Sequence, residues 1–163
     1  AAFYKREMLD DTKLGKDFFD SDYFVFQEEF DLSWRAALRG WKCVFTPSAV
    51  VYHIGSGTFR KMSKRAKYLL ERNRIWTIAK NLQPGLVRYC LPRIIIYEII
   101  YLPFIVIKGD IGVVGKARIH SISNMNRFIK KRKYIQEKCT ATPGEIRKLM
   151  THRNYMKYVL GKN

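Results

Sequence analysis

From Glu28 to Arg39 the apolar residues Phe30, Trp34, Ala37 and Leu38 recur at helical spacing, and Gly40 supplies a C-terminal stop. The pattern predicts a helix here. Two short runs follow, WKCVFTP closed by Pro47 and SAVVYH ending at His53, whose β-branched and aromatic residues predict strands. HIGSGT then reads as a Gly/Ser loop. Ahead of the helix, AAFY is strand-like and LGKDFFDSDYF reads as a surface loop. Short strands and helices alternating to about Thr58 favour an α/β domain over a bundle.

A second helical pattern runs from about Met62 to Asn81 with Leu69, Leu70, Asn73 and Trp76 on one stripe, and Pro84 with Gly85 ends it. The most apolar stretch comes next. Its core, the 14 residues from Ile94 to Ile107, is interrupted by Glu98, two tyrosines and Pro103. As helix it rises about 21 Å against roughly 30 Å of bilayer hydrocarbon. Extending it backward takes in Arg93 and Arg88, so the pattern fits a segment lying in the membrane interface better than one crossing it. Tyr97 and Tyr101 would then sit at headgroup level, with Arg93 and Lys108 outside. A further stripe, Ile111, Val114, Ile122, Met125 and Ile129, leads into KKRK at 130–133, which adds attraction to anionic lipid. The chain thus divides at 1–60, 61–85 and 86–163.

Charge sharpens this division. The 163 residues carry a formal net charge of +17. Residues 1–31 nevertheless hold 9 acids against 4 bases, a net −5, and the remainder holds 5 acids against 27 bases, a net +22. A basic surplus of this size points to phosphate, on nucleic acid, lipid headgroups or a phosphorylated substrate. Cys43, Cys90 and Cys139 are odd in number, far apart and in no metal-ligand spacing, as expected of reduced thiols facing or inside the cytoplasm. The opening residues AAFYKREML carry no initiator Met, so the chain reads as the C-terminal part of a longer protein.

Four places offer chemistry. In FQEEFDLSWR the carboxylates Glu28, Glu29 and Asp31 are crowded into four positions. The first two stand at the predicted helix start, where the backbone dipole favours an ionised carboxylate and a close neighbour raises its pKa. Such a pair suits a general base, although an acidic first turn is also an ordinary helix feature. His53, between a predicted strand and a loop, could ligate a metal, accept a hydrogen bond or serve structure alone. Asp20 and Asp22 in DSD have the oxygen donors of a divalent-cation site, but among turn formers and aromatics, with no buried strand ahead of them, they do not read as one. Asn73 lies on an apolar stripe and needs a partner there. Its neighbours Arg72 and Arg74 could meet a phosphate; a satisfied core Asn between two solvated arginines is the simpler reading.

Taken together, FQEEFDLSWRAALRGWKCVFTPSAVVYHIGSGT and the later ERNRIW are similar to the C-terminal half of family 2 glycosyltransferases of rhamnosyltransferase type. The resemblance runs from about Ala1 to Asn81 and more loosely into the tail. It implies the C-terminal portion of a GT-A, Rossmann-like α/β domain followed by amphipathic, membrane-apposed helices. It also implies an inverting transfer of sugar from a nucleotide-diphosphate sugar donor to a glycan or lipid-linked acceptor, in cell-surface polysaccharide synthesis. Glu29 maps to the base, where many members have Asp, and Glu28 to an alternative base or orienting partner. His53 would help to hold Mg²⁺ or Mn²⁺, the acidic ligands belonging to the other half. Asp31, Trp34 and Arg35 would shape the acceptor side or brace the helix, and Arg72 and Arg74 would meet substrate. The implied location is the cytoplasmic face of the cell membrane, against an anionic membrane surface and with no nucleic acid; this piece alone would be inactive. A noncatalytic basic module for anionic membrane or nucleic acid is the competing expectation, and it leaves the acidic cluster unexplained.

Overall fold

The computed structural model describes residues 2–52 and 63–150. Among them are seven α-helices: α1 (Arg6–Thr12), α2 (Glu28–Leu38), α3 (Lys64–Asn81), α4 (Val87–Ile107), α5 (Ile111–Ser123), α6 (Met125–Glu137) and α7 (Pro143–Leu149). Single 3₁₀ turns occupy Ser21–Tyr23 and Pro84–Leu86. No strand occurs among the described residues, which hold one isolated bridge between Leu14 and Asp17. The expected α/β, GT-A-like fold is therefore overturned, and the architecture of the described residues is all-helical.

The strand signals fail for a physical reason. β-propensity measures how well a side chain fits a pleated, half-buried surface, so it needs a neighbouring strand to act on. Residues 42–52 have none among the described residues: Val44, Phe45 and Tyr52 are 83%, 86% and 95% exposed. Within this stretch a single turn bond, from Ala49 N to Thr46 O, is made in place of a ladder.

α3 is the organising element. α5 and α6 pack along it, and α2 touches it as well. Leu69, Asn73 and Trp76 are buried as the stripe predicts, but so are Glu71, Arg72, Thr77, Lys80 and Asn81. A helix covered on several sides cannot keep its polar residues in water, so each must find a partner inside. Beside α3, Trp76 stacks on Phe128 of α6 with ring centroids 4.2 Å apart, and Tyr23 stacks on both. A second apolar cluster joins the end of α2 to the C-terminal helices through Leu38, Leu82, Leu86, Ile135 and Ile146.

The other helices depart from expectation in detail. α2 buries Asp31, Leu32, Arg35, Ala36 and Leu38, whereas Phe30 is 56% exposed. The stripe after residue 110 is two helices broken at Asn124, and its inward positions are Val114, Ala117, Ser121, Phe128 and Ile135; Ile111, Ile122 and Ile129 face out. In KKRK, Lys131 and Arg132 turn inward, to Asp20 and Asp22 and to the Ala79 carbonyl. α4 starts seven residues before Ile94 and has 21 residues, about 32 Å of helix. With the preceding 3₁₀ turn it is long and apolar enough to cross a membrane, by length and composition. Arg88 and Arg93 do not shorten it, since a long cationic side chain near a helix end can carry its charge outward.

Candidate functional site

The residues leading into α2 take an improbable path. Phe24, Phe26 and Gln27 have φ of 64°, 67° and 71°, in the left-handed region that non-glycine residues rarely occupy. Each such residue costs about 1–3 kcal/mol and persists only where its surroundings over-determine it. The constraint comes from α3. The Asn73 amide nitrogen donates to the carbonyls of Tyr23, Val25 and Phe26 at 3.1, 2.9 and 2.8 Å. Arg72 adds bonds to the carbonyls of Asp22 and Tyr23, with its guanidinium 4.4 Å from the Trp76 ring centre.

The loop delivers the chain to α2 with Glu28 and Glu29 in the first turn, where the helix dipole favours their charge. They have different surroundings. Glu28 is half-buried, and its Oε2 has no hydrogen-bond partner among the described residues; Glu29 is exposed. Near Glu29 lies Tyr4, whose hydroxyl is pushed up by burial and then by the negative charges of Glu29 and Cys43. On the same helix Phe30 meets Trp34 edge-on, with ring centroids 5.7 Å apart. An exposed carboxylate in a first helical turn can accept a proton, and an aromatic pair on the same helix can support the apolar face of a ligand.

Asp31 and Arg35 lie on the opposite face, where they fasten α2 to the interior. Arg35 Nε bonds Asp31 at 3.0 Å, and its two terminal nitrogens donate to the Thr12 and Phe18 carbonyls. Lys80, fully buried on α3, reaches Asp31 at 2.8 Å and Asp20 at 2.5 Å. Asn81 donates to Asp31 at 2.7 Å, Tyr23 hydroxyl to the same oxygen at 3.4 Å, and Thr77 hydroxyl to that of Tyr23 at 3.0 Å. Of the two expected roles for Asp31 and Arg35, acceptor side or brace, their burial and contacts match the brace.

Arg72 spends its guanidinium on the loop, and Arg74 pairs with Glu71 and Glu98 at 2.9 and 2.8 Å. Trp34 keeps an exposed edge beside Phe30. Asp20 and Asp22 are no surface loop: Asp20 is 3% exposed, paired with Lys80 and Lys131, and Asp22 meets Arg127 and Lys131. Burial pushes the Asp20 carboxyl up, but the two lysines outweigh it and hold it below the usual carboxylate range. Its contribution to stability is thus complete above about pH 4, the unfolded value, and is lost as pH falls through the lower folded value. An acid-unfolding series should show Asp20→Asn less stable at pH 7 and with a shallower decline below about pH 4. A parallel decline would place the acid sensitivity elsewhere.

His53 lies outside the described residues. Among the described ones no group of three His, Cys, Asp or Glu is placed to hold a metal ion, so they offer no fit to the expected Mg²⁺ or Mn²⁺. Sequence reasoning missed Tyr23, Lys80, Asn81 and Lys131. One signal was available: Lys80 continues the stripe of Leu69, Asn73 and Trp76 at the next helical step, and a cation on a buried face requires buried acids. Comparisons of the chain with protein-family models, curated proteins and solved structures find no match, so the resemblance to glycosyltransferases rests on its residue pattern alone.

Proposed function

We propose that this chain is the acceptor-side part of a membrane-associated inverting glycosyltransferase, with Glu29 as general base. The observation that carries the reading is an exposed Glu29 in the first turn of α2, a helix that also bears the edge-on Phe30 and Trp34 rings and is braced from beneath. The acceptor hydroxyl oxygen would form a bond to the anomeric carbon as the bond to the diphosphate breaks on the opposite face. Its proton would pass to Glu29. Glu28, whose buried oxygen has no partner among the described residues, would hold its neighbour's orientation and charge. Donor binding and any metal belong to residues other than the described ones, and no step here is routed through them.

A second reading, a noncatalytic helical module on anionic membrane, is favoured by the all-helical architecture and by α4, whose apolar residues stand exposed along its length. Membranes carrying the complete protein, supplied with a panel of labelled nucleotide-diphosphate sugars, separate the two. Under the enzyme reading Glu29→Gln lowers transfer at least about a hundredfold, the low end of general-base effects, with donor binding unchanged. Transfer at the parent rate in Glu29→Gln would reject Glu29 as the base, and no transfer from any donor by the parent would favour the module.

A further inference from the structure

Between α2, α3 and α4 runs a groove of about 490 Å³, within the range of small-ligand sites. Its walls include Trp34 of α2, Ile78 of α3, Leu82 just after it, Cys90 and Ile94 of α4, and Met150 beyond α7. These are apolar or weakly polar, and among the described residues no carboxylate lines the groove. Arg93 is in the lining, and Arg147 lies close by, on the Tyr89 ring. Arg93, exposed, donates to the Tyr89 carbonyl at 2.7 Å and lies 3.9 Å from the centre of the Tyr89 ring. Arg147 of α7 comes to 4.1 Å of the same ring centre. Neither arginine forms an ion pair among the described residues, whereas Arg74, also in the lining, is neutralised by Glu71 and Glu98.

We infer that this groove seats one acyl chain of an anionic phospholipid, with the phosphate held by Arg93 and Arg147. The chain meets the apolar walls, and the guanidinium fork of Arg93, in the lining, matches two oxygens of a phosphate, with Arg147 adding positive charge beside Tyr89. Position favours a membrane lipid over a free phosphate. α4 lines the groove through Tyr89, Cys90, Arg93 and Ile94, and another stripe of it, Leu91, Ile95, Ile99, Leu102 and Val106, is exposed and apolar. A leaflet lying along that stripe would present lipid at the groove mouth. The inference rests on the membrane part of the proposed function and is independent of Glu29.

Cys90 reports on occupancy. It lies in the groove wall, and Cys43, exposed and far along the chain, serves as internal control. The full chain is treated with N-ethylmaleimide and each thiol followed by peptide mass, with short-chain dihexanoyl lipids kept below their micelle concentration so that no bilayer forms. Dihexanoyl-phosphatidylglycerol is expected to slow labelling of Cys90 about tenfold and leave Cys43 unchanged. Dihexanoyl-phosphatidylcholine or inorganic phosphate alone should slow it less than about twofold, and Arg93→Glu, a change at an exposed position, should abolish the protection. Equal protection by the zwitterionic lipid, or protection that survives Arg93→Glu, overturns the phosphate assignment. Protection by inorganic phosphate alone overturns the acyl chain. Labelling that is slow without lipid and becomes fast once the residues after Met150 are removed would give the groove to the chain itself and overturn the proposal. No sugar donor enters the experiment, so its result stands apart from that of Glu29→Gln.

Discussion

Replacing Lys80 with Met is expected to destabilise the fold by about 3–5 kcal/mol, the usual cost of removing one partner from a buried ion pair. Lys80 is fully buried and is the cation shared by two buried carboxylates, Asp20 and Asp31. A Met side chain fills most of its volume, so little of the loss comes from packing. What remains is electrostatic: Asp31 keeps Arg35 and Asp20 keeps Lys131, but two desolvated anions have lost the charge between them. Denaturant unfolding of the parent, Lys80→Met, Asp20→Asn and the double variant measures this directly. Removing the anion along with the cation should restore part of the loss, so the double variant should be more stable than the sum of the single effects requires. Strict additivity would mean that the Lys80 and Asp20 charges do not support one another.

The same network explains what could be read in advance. The helix at Glu28–Leu38, the left-handed stop at Gly40 with φ of 82°, and the helix ending at Asn81 all follow from local pattern and turn chemistry. The inward face of α2 did not. Helical spacing of apolar residues selects Phe30 and Trp34, but α2 turns Asp31 and Arg35 inward, because Lys80 of α3 supplies a counter-charge to Asp31 and the Thr12 and Phe18 carbonyls accept from Arg35, partners 17–49 positions away that no local window contains. The strands at 42–52 failed for the converse reason: their residue types suit a sheet, and the described residues offer no sheet to join. Glu28 and Glu29 were legible as a helix start from sequence. Their unequal burial was not, because it depends on a loop whose left-handed residues are imposed from 47–50 positions away.

That imposition makes Asn73→Leu the other large effect, with an expected loss of about 3–4 kcal/mol. Leu is nearly the same size and suits a helix, so α3 itself should tolerate it. The Tyr23, Val25 and Phe26 carbonyls would lose their shared donor, and a buried carbonyl left without a partner costs about 1–3 kcal/mol. Arg72 still holds the Tyr23 oxygen, which keeps the total below three full penalties. The strained residues should then relax, since the loop loses the three Asn73 bonds that help to hold Phe24, Phe26 and Gln27 in the left-handed region. Relaxation would let the first turn of α2 fray and move Glu28 and Glu29 while Asp31 and Arg35 stay anchored. Hydrogen exchange distinguishes this from general weakening: amides of residues 24–30 should lose protection far more than those of residues 32–38. Uniform loss along α2 would show that Asn73 supports the fold as a whole and not the placement of the two glutamates.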